Sequence, residues 1–142
     1  MKVEEISINH KKVFLLVDSS GKPVVPVAKY MKHLHNREMS SNTLHTYCTA
    51  LKHFFEYINK ENLKYTHIMF EDLSNFVAYL RNPFESSKVI PHGKVKPKRT
   101  EKTVNLYITA VTNFYDFLYR DELIEPNVVE KLMKKVYAGA WW

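Results

Sequence analysis

Apolar residues recur along the first part of this chain with a period of two. The alternating runs, residues 3–9 and 12–17, flank Asn9-His10-Lys11. Alternation around a short polar turn predicts a β-hairpin. Because an isolated hairpin is barely stable in water, we expect this one to pack on the rest of the chain. Its apolar positions are Ile6 and Ile8 before the turn, and Val13, Leu15 and Val17 after it.

From Pro26 onward the apolar positions follow a helical period, at i, i+3, i+4 and i+7. This pattern predicts helices over about 26–38, 42–59, 70–81, 101–120 and 127–137. Residues that cap helices mark two starts, at Ser40-Ser41-Asn42 and at Thr100. No strand alternates with these helices in a βαβ pattern. The chain is therefore predicted to be mainly α: a four- to five-helix bundle with a short N-terminal β-hairpin. The apolar stripes contain Val27, Tyr30, Met31 and Leu34; Leu44, Tyr47, Cys48, Leu51, Phe55 and Ile58; Leu73, Phe76, Val77 and Leu80; Val104, Tyr107, Ile108, Val111, Phe114, Tyr115 and Leu118; and Val129, Leu132, Met133 and Val136.

The second and fourth predicted helices resemble each other. Residues 42–58 align without gaps on residues 102–118, and five of the seventeen positions are identical. One interpretation is a shared packing role, in which the small side chains of Ala50 and Ala110 allow close approach. Another is that both helices present their N-terminal turns to one ligand, since helix N-termini favour phosphate. The identical pairs are Thr43/Thr103, Tyr47/Tyr107, Thr49/Thr109, Ala50/Ala110 and Phe54/Phe114.

Positive charge is concentrated between the third and fourth helices. The formal net charge of the whole chain is +6, and residues 88–103 hold six basic residues against the single acidic Glu101. Pro91, Gly93 and Pro97 exclude a continuous helix here. A basic loop suits a polyanion because each cation near a phosphate releases condensed counterions. The alternative is a solvated loop whose charge only maintains solubility.

Composition excludes several classes of protein. The 142 residues suit one compact domain, and the three glycines lack the spacing that a Rossmann fingerprint or a P-loop requires. A lone Cys48 excludes a disulfide framework and fits a core position. No apolar run is long enough to cross a membrane, and residues 1–9 do not resemble a secretory signal, so we expect an intracellular, cytoplasmic protein.

The seven histidines do not form a recognisable metal site. No His-x-x-x-His pair occurs, and His33 and His35 diverge on a helix. We therefore expect no metal and no cofactor in this chain.

Short polar side chains form a row on each of the two similar helices. Asn, Lys and Thr in such rows can contact bases or phosphates, whereas the alternative is that both rows only face water. The candidate DNA-binding residues on the second helix are Ser41, Asn42, Thr43, His45, Thr46, Thr49 and Lys52. Those in the loop and fourth helix are Lys94, Lys96, Lys98, Arg99, Thr100, Lys102, Thr103, Asn105, Thr109 and Thr112.

Residues 40–58 resemble the second helix of the core-binding domain of tyrosine recombinases, the phage-integrase family. The shared pattern is a threonine, a tyrosine four residues later, a leucine and an aromatic pair. Residues 103–118 with 123–127 resemble the fourth helix and exit of that domain, although Pro126 and Asn127 are transposed relative to the usual order. The basic insertion resembles integrase-like transposases of mobile elements. The similarity covers about residues 26–137.

The resemblance implies a SAM-like helical domain on one face of duplex DNA, while a separate catalytic domain clamps the other face. That catalytic domain would supply a His-x-x-Arg box, which this chain lacks. The implied organisation is a hairpin appendage over 1–25, the core-binding domain over 26–137 and a tail over 138–142. We expect a monomeric isolated domain without enzymatic activity and a parent recombinase that is oligomeric on DNA. The alternative is a helical interaction domain whose basic loop docks an acidic protein or RNA.

Overall fold

The computed structural model describes residues 1–81 and 99–121. The strands β1 (Lys2–Ile8) and β2 (Lys11–Val17) form an antiparallel hairpin. Four α-helices follow, α1 (Val25–Asn36), α2 (Ser41–Lys60), α3 (Phe70–Arg81) and α4 (Glu101–Arg120), with a short 3-10 helix (Tyr65–His67) before α3. This architecture confirms the predicted helical bundle with an N-terminal hairpin. The predicted fifth helix over 127–137 and the tail over 138–142 lie outside the described residues.

The hairpin turn consists of two residues. Asn9 and His10 both have positive φ, 51° and 67°. A turn with both central residues in the left-handed region matches the twist of paired strands. Ile8 therefore pairs with Lys11, and β2 begins one residue earlier than the alternation predicts.

Phe14 and Leu16 attach β2 to the helical core. The apolar positions that the alternation suggests for this strand are Val13, Leu15 and Val17. Because side chains alternate along a strand, these three lie on the other face of β2. On β1, Ile6 and Ile8 are 37% and 49% exposed. Because residues 13–17 are apolar at every position, the period of two could not identify the face that packs on the helices.

The helices α2 and α4 begin with the same side-chain cap. Ser40 Oγ accepts a hydrogen bond from the Thr43 amide at 3.2 Å, and Thr100 Oγ1 accepts one from the Thr103 amide at 3.2 Å. Each capping side chain satisfies a backbone donor that the first turn leaves unpaired. Of the three candidate caps before α2, Ser40 is the one used, so α2 starts at Ser41.

The sequence repeat extends over the whole of α2 and α4. Both helices have 20 residues, and their first residues, Ser41 and Glu101, are 60 positions apart. The residues that follow them, Glu61 and Asp121, share a φ of −89°. The buried positions correspond closely as well, with Leu44, Cys48, Ala50, Leu51, Phe54, Phe55 and Ile58 matching Val104, Ile108, Ala110, Val111, Phe114, Tyr115 and Leu118.

The helices α1 and α3 repeat each other with an offset of 46 residues. The buried residues of α1, Val27, Tyr30, Met31 and Leu34, correspond to Leu73, Phe76, Val77 and Leu80 of α3. The chain therefore contains two copies of a helix pair, α1–α2 and α3–α4.

The contacts between aromatic rings follow the same correspondence, of α1 with α3 and of α2 with α4. In each copy the shorter helix packs its aromatic residues on the longer helix of the other copy. The matched centroid distances are 5.6 Å for Tyr30–Phe114 and 5.3 Å for Phe76–Phe54, 5.3 Å for Tyr30–Phe117 and 5.4 Å for Phe76–Tyr57, and 5.1 Å for His33–Phe117 and 5.0 Å for Tyr79–Tyr57. A pseudo-two-fold axis therefore relates the two helix pairs.

The contacts between α2 and α4 are also paired by this axis. Towards their C-terminal ends, Phe54 lies 5.9 Å from Tyr115 and Phe55 lies 5.9 Å from Phe114. On the two flanks, the Asn113 amide donates to the Tyr47 hydroxyl at 3.4 Å, and the Tyr107 ring stacks on His53 at 5.5 Å. Ala50 is midway between Tyr47 and His53, and Ala110 is midway between Tyr107 and Asn113. The helices therefore cross at these two fully buried alanines.

Truncation of Leu51 tests the assignment of the core. This side chain is fully buried, so Leu51→Ala is expected to lower the free energy of unfolding by about 2–5 kcal/mol. The matched control is Leu106→Ala, since Leu106 is 41% exposed and is expected to cost less than about 0.5 kcal/mol. Urea unfolding monitored by circular dichroism measures both, and equal losses would show that the helix faces are assigned incorrectly.

Removal of the Tyr115 hydroxyl tests a second core interaction. The hydroxyl donates to the Tyr65 carbonyl oxygen at 2.7 Å, and burial raises the pKa of Tyr115 well above its usual value. Tyr115→Phe leaves that carbonyl oxygen without this donor, and we expect a loss of about 1–3 kcal/mol in unfolding free energy. The control is Tyr119→Phe, because Tyr119 is 43% exposed. Urea unfolding measures both variants, and identical unfolding midpoints for wild type and Tyr115→Phe would show that this hydrogen bond does not stabilise the fold.

Candidate nucleic-acid interface

The first half of α2 presents its polar row to solvent. Asn42 and His45 are exposed, while Thr49 and Lys52 are half-buried. These positions are spaced by three or four residues and share one side of the helix. The predicted row on this helix therefore lies on the surface.

The corresponding row of α4 is shorter than predicted. Lys102, Asn105 and Thr109 are exposed, but Thr112 is only 7% exposed. The Thr112 hydroxyl donates to the Thr109 carbonyl oxygen at 3.0 Å, within the helix. Thr112 is thus a buried, satisfied residue rather than a surface contact, because by this point the helix has turned its polar row towards the bundle.

Several hydroxyls of the candidate set are engaged inside their own helices. Thr43 and Thr103 each accept a hydrogen bond from the capping hydroxyl, at 2.9 and 3.0 Å. Thr46 donates to the Asn42 carbonyl oxygen at 2.9 Å, and Thr109 donates to that of Asn105 at 2.8 Å. Thr46 and Thr109 have therefore used their hydroxyl hydrogen and retain acceptor capacity only, whereas Thr43 and Thr103 can still donate theirs.

The N-terminal parts of the two polar rows, residues 42–49 and 102–109, lie on the same side of the helix crossing. The C-terminal halves of α2 and α4 meet through their buried aromatic residues, as described above. The N-terminal halves therefore emerge together on the side away from those residues. Ser41 and Thr100 accompany them as exposed residues at the helix starts. The exposed polar residues of the two N-terminal halves are therefore on the same side of the crossing, although they are about 60 positions apart in sequence.

The hairpin flanks this surface on the α2 side. The Phe14 ring lies 5.0 Å from the His45 ring, and the two elements enclose a cleft of about 340 Å³. Lys12 lines this cleft and forms an ion pair with Glu5 at 3.4 Å. Lys12 is not among the predicted candidates, because no periodic pattern connects the hairpin to α2. The cleft is lined by Val3, Glu5, Lys12, Phe14, Ser41, Asn42 and His45.

Arg99 holds the start of α4 against the end of α3. Its Nη1 donates to the Leu80 carbonyl oxygen at 3.0 Å, and its side chain is half-buried. Arg99 therefore has a structural role besides its charge. Lys94, Lys96 and Lys98, the other loop candidates, lie outside the described residues.

A larger cleft, of about 670 Å³, lies among α1, α2 and α4. Its charges are mixed, since Arg37 and Arg120 face Asp116 and Asp121, and Arg120 pairs with Asp116 at 3.1 Å. This balance suits a polyanion less well than the polar rows do.

No group of three histidine, cysteine, aspartate or glutamate side chains could hold a metal ion within residues 1–81 and 99–121. Cys48 is fully buried, and burial raises the pKa of its thiol to about 12. This environment fits the predicted core role for Cys48. Across the same described ranges, no helix has the length and hydropathy that a membrane span requires.

The fold and surface define a SAM-like helical bundle with one polar face. A family model described as "Phage integrase, N-terminal SAM-like domain" matches residues 27–122. The chain belongs to this family, the N-terminal domain of tyrosine recombinases, as its sequence resemblance implies. The hairpin precedes the matched region.

Two curated relatives agree with this assignment. Over 122 residues the chain is 37% identical to "Transposase A from transposon Tn554" of Staphylococcus aureus, covering 84% of this chain and 34% of the transposase. Over 105 residues it is 29% identical to "Tyrosine recombinase XerC" of Leptospira interrogans, covering 73% of this chain and 30% of the recombinase. The chain thus spans about a third of the length of these relatives. No solved structure matches it significantly.

Arg99→Ala tests the structural role of this arginine. Loss of its hydrogen bond to Leu80 is expected to lower the unfolding free energy by about 1–2 kcal/mol. Lys102→Ala, which removes an exposed cation three residues later, is the control and is expected to stay within about 0.5 kcal/mol of wild type. Equal melting temperatures for wild type and Arg99→Ala would refute this role.

Proposed function

We propose that this chain is the part of a tyrosine recombinase that binds duplex DNA at the recombination site. The observation that carries the proposal is that the N-terminal parts of two polar rows, one on α2 and one on α4, lie on the same side of the helix crossing. The family assignment supports it, since tyrosine recombinases act on DNA. The basic segment 88–103 adds the positive charge that a phosphate backbone requires.

The exposed and half-buried residues of the two rows divide into two chemical classes. Asn42, Asn105 and His45 can donate and accept hydrogen bonds at base edges, and asparagine can pair with adenine. Lys52 and Lys102 can contact phosphates or guanine. Phosphates also suit the helix starts at Ser41 and Thr100, where backbone amides and the helix dipole favour negative charge. The loop lysines and Arg99 would add contacts that are independent of sequence.

We further propose that strand cleavage requires residues outside this chain. The sequence has no His-x-x-Arg box, and the family model that matches it describes an N-terminal domain. The isolated chain is then a monomer in the cytoplasm, whereas the whole recombinase assembles as an oligomer on DNA. A covalent adduct between the purified chain and a cleavable duplex would refute the absence of catalysis.

A second candidate function is docking of an acidic protein or an RNA. The density of charge in 88–103 favours it, because such a loop attracts any polyanion. It differs from the first proposal in leaving the α2 and α4 rows unused. Competition between duplex DNA, RNA and an acidic peptide for the same protein distinguishes the candidates.

A salt titration tests DNA binding most directly. For the full chain and a labelled duplex, the logarithm of affinity should fall with the logarithm of salt concentration by about 0.9 per phosphate contacted. Replacing Lys94, Lys96 and Lys98 with alanine should weaken binding and reduce that slope. An undetectable affinity at low salt would refute the proposed function, and an unchanged slope in the variant would exclude the loop from the interface.

Substitutions in the two rows test which surface contacts DNA. Asn105→Ala and His45→Ala are each expected to weaken binding to a selected site by about 1–3 kcal/mol, with smaller losses on random duplex. Lys102→Ala should weaken binding to both duplexes by the same amount, as loss of a phosphate contact does. Asn59→Ala is the control, since Asn59 is exposed at the far end of α2. Equal effects of Asn59→Ala and Asn105→Ala would place the interface elsewhere.

A further inference from the structure

The pseudo-two-fold axis of the domain passes through the candidate interface. This axis exchanges α2 with α4, so it runs through their crossing at Ala50 and Ala110. On one side of the crossing it enters the aromatic core, where the two C-terminal halves meet. On the other side it emerges between the two N-terminal halves, which carry the polar rows. Equivalent residues of the two rows therefore lie on opposite sides of the axis.

Duplex DNA has two-fold axes of its own. Its antiparallel strands are related by local two-fold axes perpendicular to the helix, and proteins with two-fold symmetry bind pseudo-palindromic sites for this reason. A protein surface with a pseudo-two-fold axis can therefore make equivalent contacts with both strands of one groove. This match requires no second protein subunit.

We infer that the domain aligns its internal axis with a local two-fold axis of the duplex, so that α2 contacts one strand and α4 contacts the other. This inference rests on the proposed function and specifies its substrate: a site containing a short, imperfect inverted repeat. The two helices belong to one domain and cross at alanines, which places them about 8–10 Å apart. At the crossing this separation corresponds to roughly three base pairs, at 3.4 Å per base pair.

The residues in equivalent positions determine where the repeat is imperfect. Thr49 and Thr109 are identical and would contact the two half-repeats in the same way. His45 and Asn105 are equivalent in position and both exposed, but they differ in chemistry. Their unlike side chains would select different bases at symmetric positions, which gives the site a direction.

Selection of binding sites from a randomised duplex library tests this inference with the full chain. The wild-type protein is expected to enrich an inverted repeat that is broken at one pair of symmetric positions. His45→Asn makes the two helices alike at this pair, so the selected site should become symmetric there. The variant should prefer the symmetric site over the wild-type site by roughly five- to 150-fold, the discrimination expected of one good base contact.

The reciprocal variant and a control make the outcome decisive. Asn105→His should also select a symmetric site, but with the other base pair at both positions. The control is Asn59→His, which makes the same asparagine-to-histidine substitution at an exposed position outside the rows. It should leave the selected site unchanged. Circular dichroism establishes that each variant is folded before selection.

The two possible failures are distinguishable. Enrichment of no sequence, together with no binding to any duplex at low salt, refutes the proposed function itself. Binding to an enriched site without an inverted repeat leaves that function intact and overturns the alignment of the two axes. A repeat that both symmetrising variants leave unchanged also overturns it, since His45 and Asn105 would not then occupy equivalent positions on the DNA.

Discussion

The close crossing of α2 and α4 is the constraint on which the rest of this structure depends. Ala50 and Ala110 are fully buried at that crossing. Helix axes approach to about 8 Å only when the side chains at the contact are small, so larger residues at both positions would separate the helices. Separation would break the flanking contacts of Tyr47 with Asn113 and would open the aromatic core behind them. The surface position of both polar rows follows from this one packing requirement.

The aromatic core explains why each short helix packs where it does. Phe54 lies 5.3 Å from Phe76, and its counterpart Phe114 lies 5.6 Å from Tyr30. Both pairs have the edge-to-face geometry that aromatic rings prefer. Phe54 and Phe114 thus each contact both the other central helix and one short helix. Among the described residues the hairpin has no counterpart under the pseudo-symmetry, and it joins the core through Phe14 and Leu16 instead.

Sequence periodicity predicted the four described helices because each has an apolar stripe that tertiary packing buries. The capping threonine and serine located the starts of α2 and α4, since their hydrogen bonds are local. The burial of Thr112 was not predictable from spacing, because it depends on how far α4 inclines towards the bundle. The contact of Arg99 with Leu80 and the position of Lys12 beside α2 also escaped prediction, since each joins segments whose sequences carry no shared pattern.

The two interpretations of the sequence repeat apply to different faces of the same helices. Three of the five identical pairs, those at Tyr47, Ala50 and Phe54, lie at or beside the helix crossing, where pseudo-symmetric packing requires matching shapes. Packing therefore accounts for most of the identity. Packing does not constrain the exposed pairs Asn42/Lys102 and His45/Asn105, and the two helices carry different residues at these positions. A symmetric core thus holds an asymmetric surface, which is the arrangement that a domain needs to align with a two-fold axis of DNA while distinguishing its two directions.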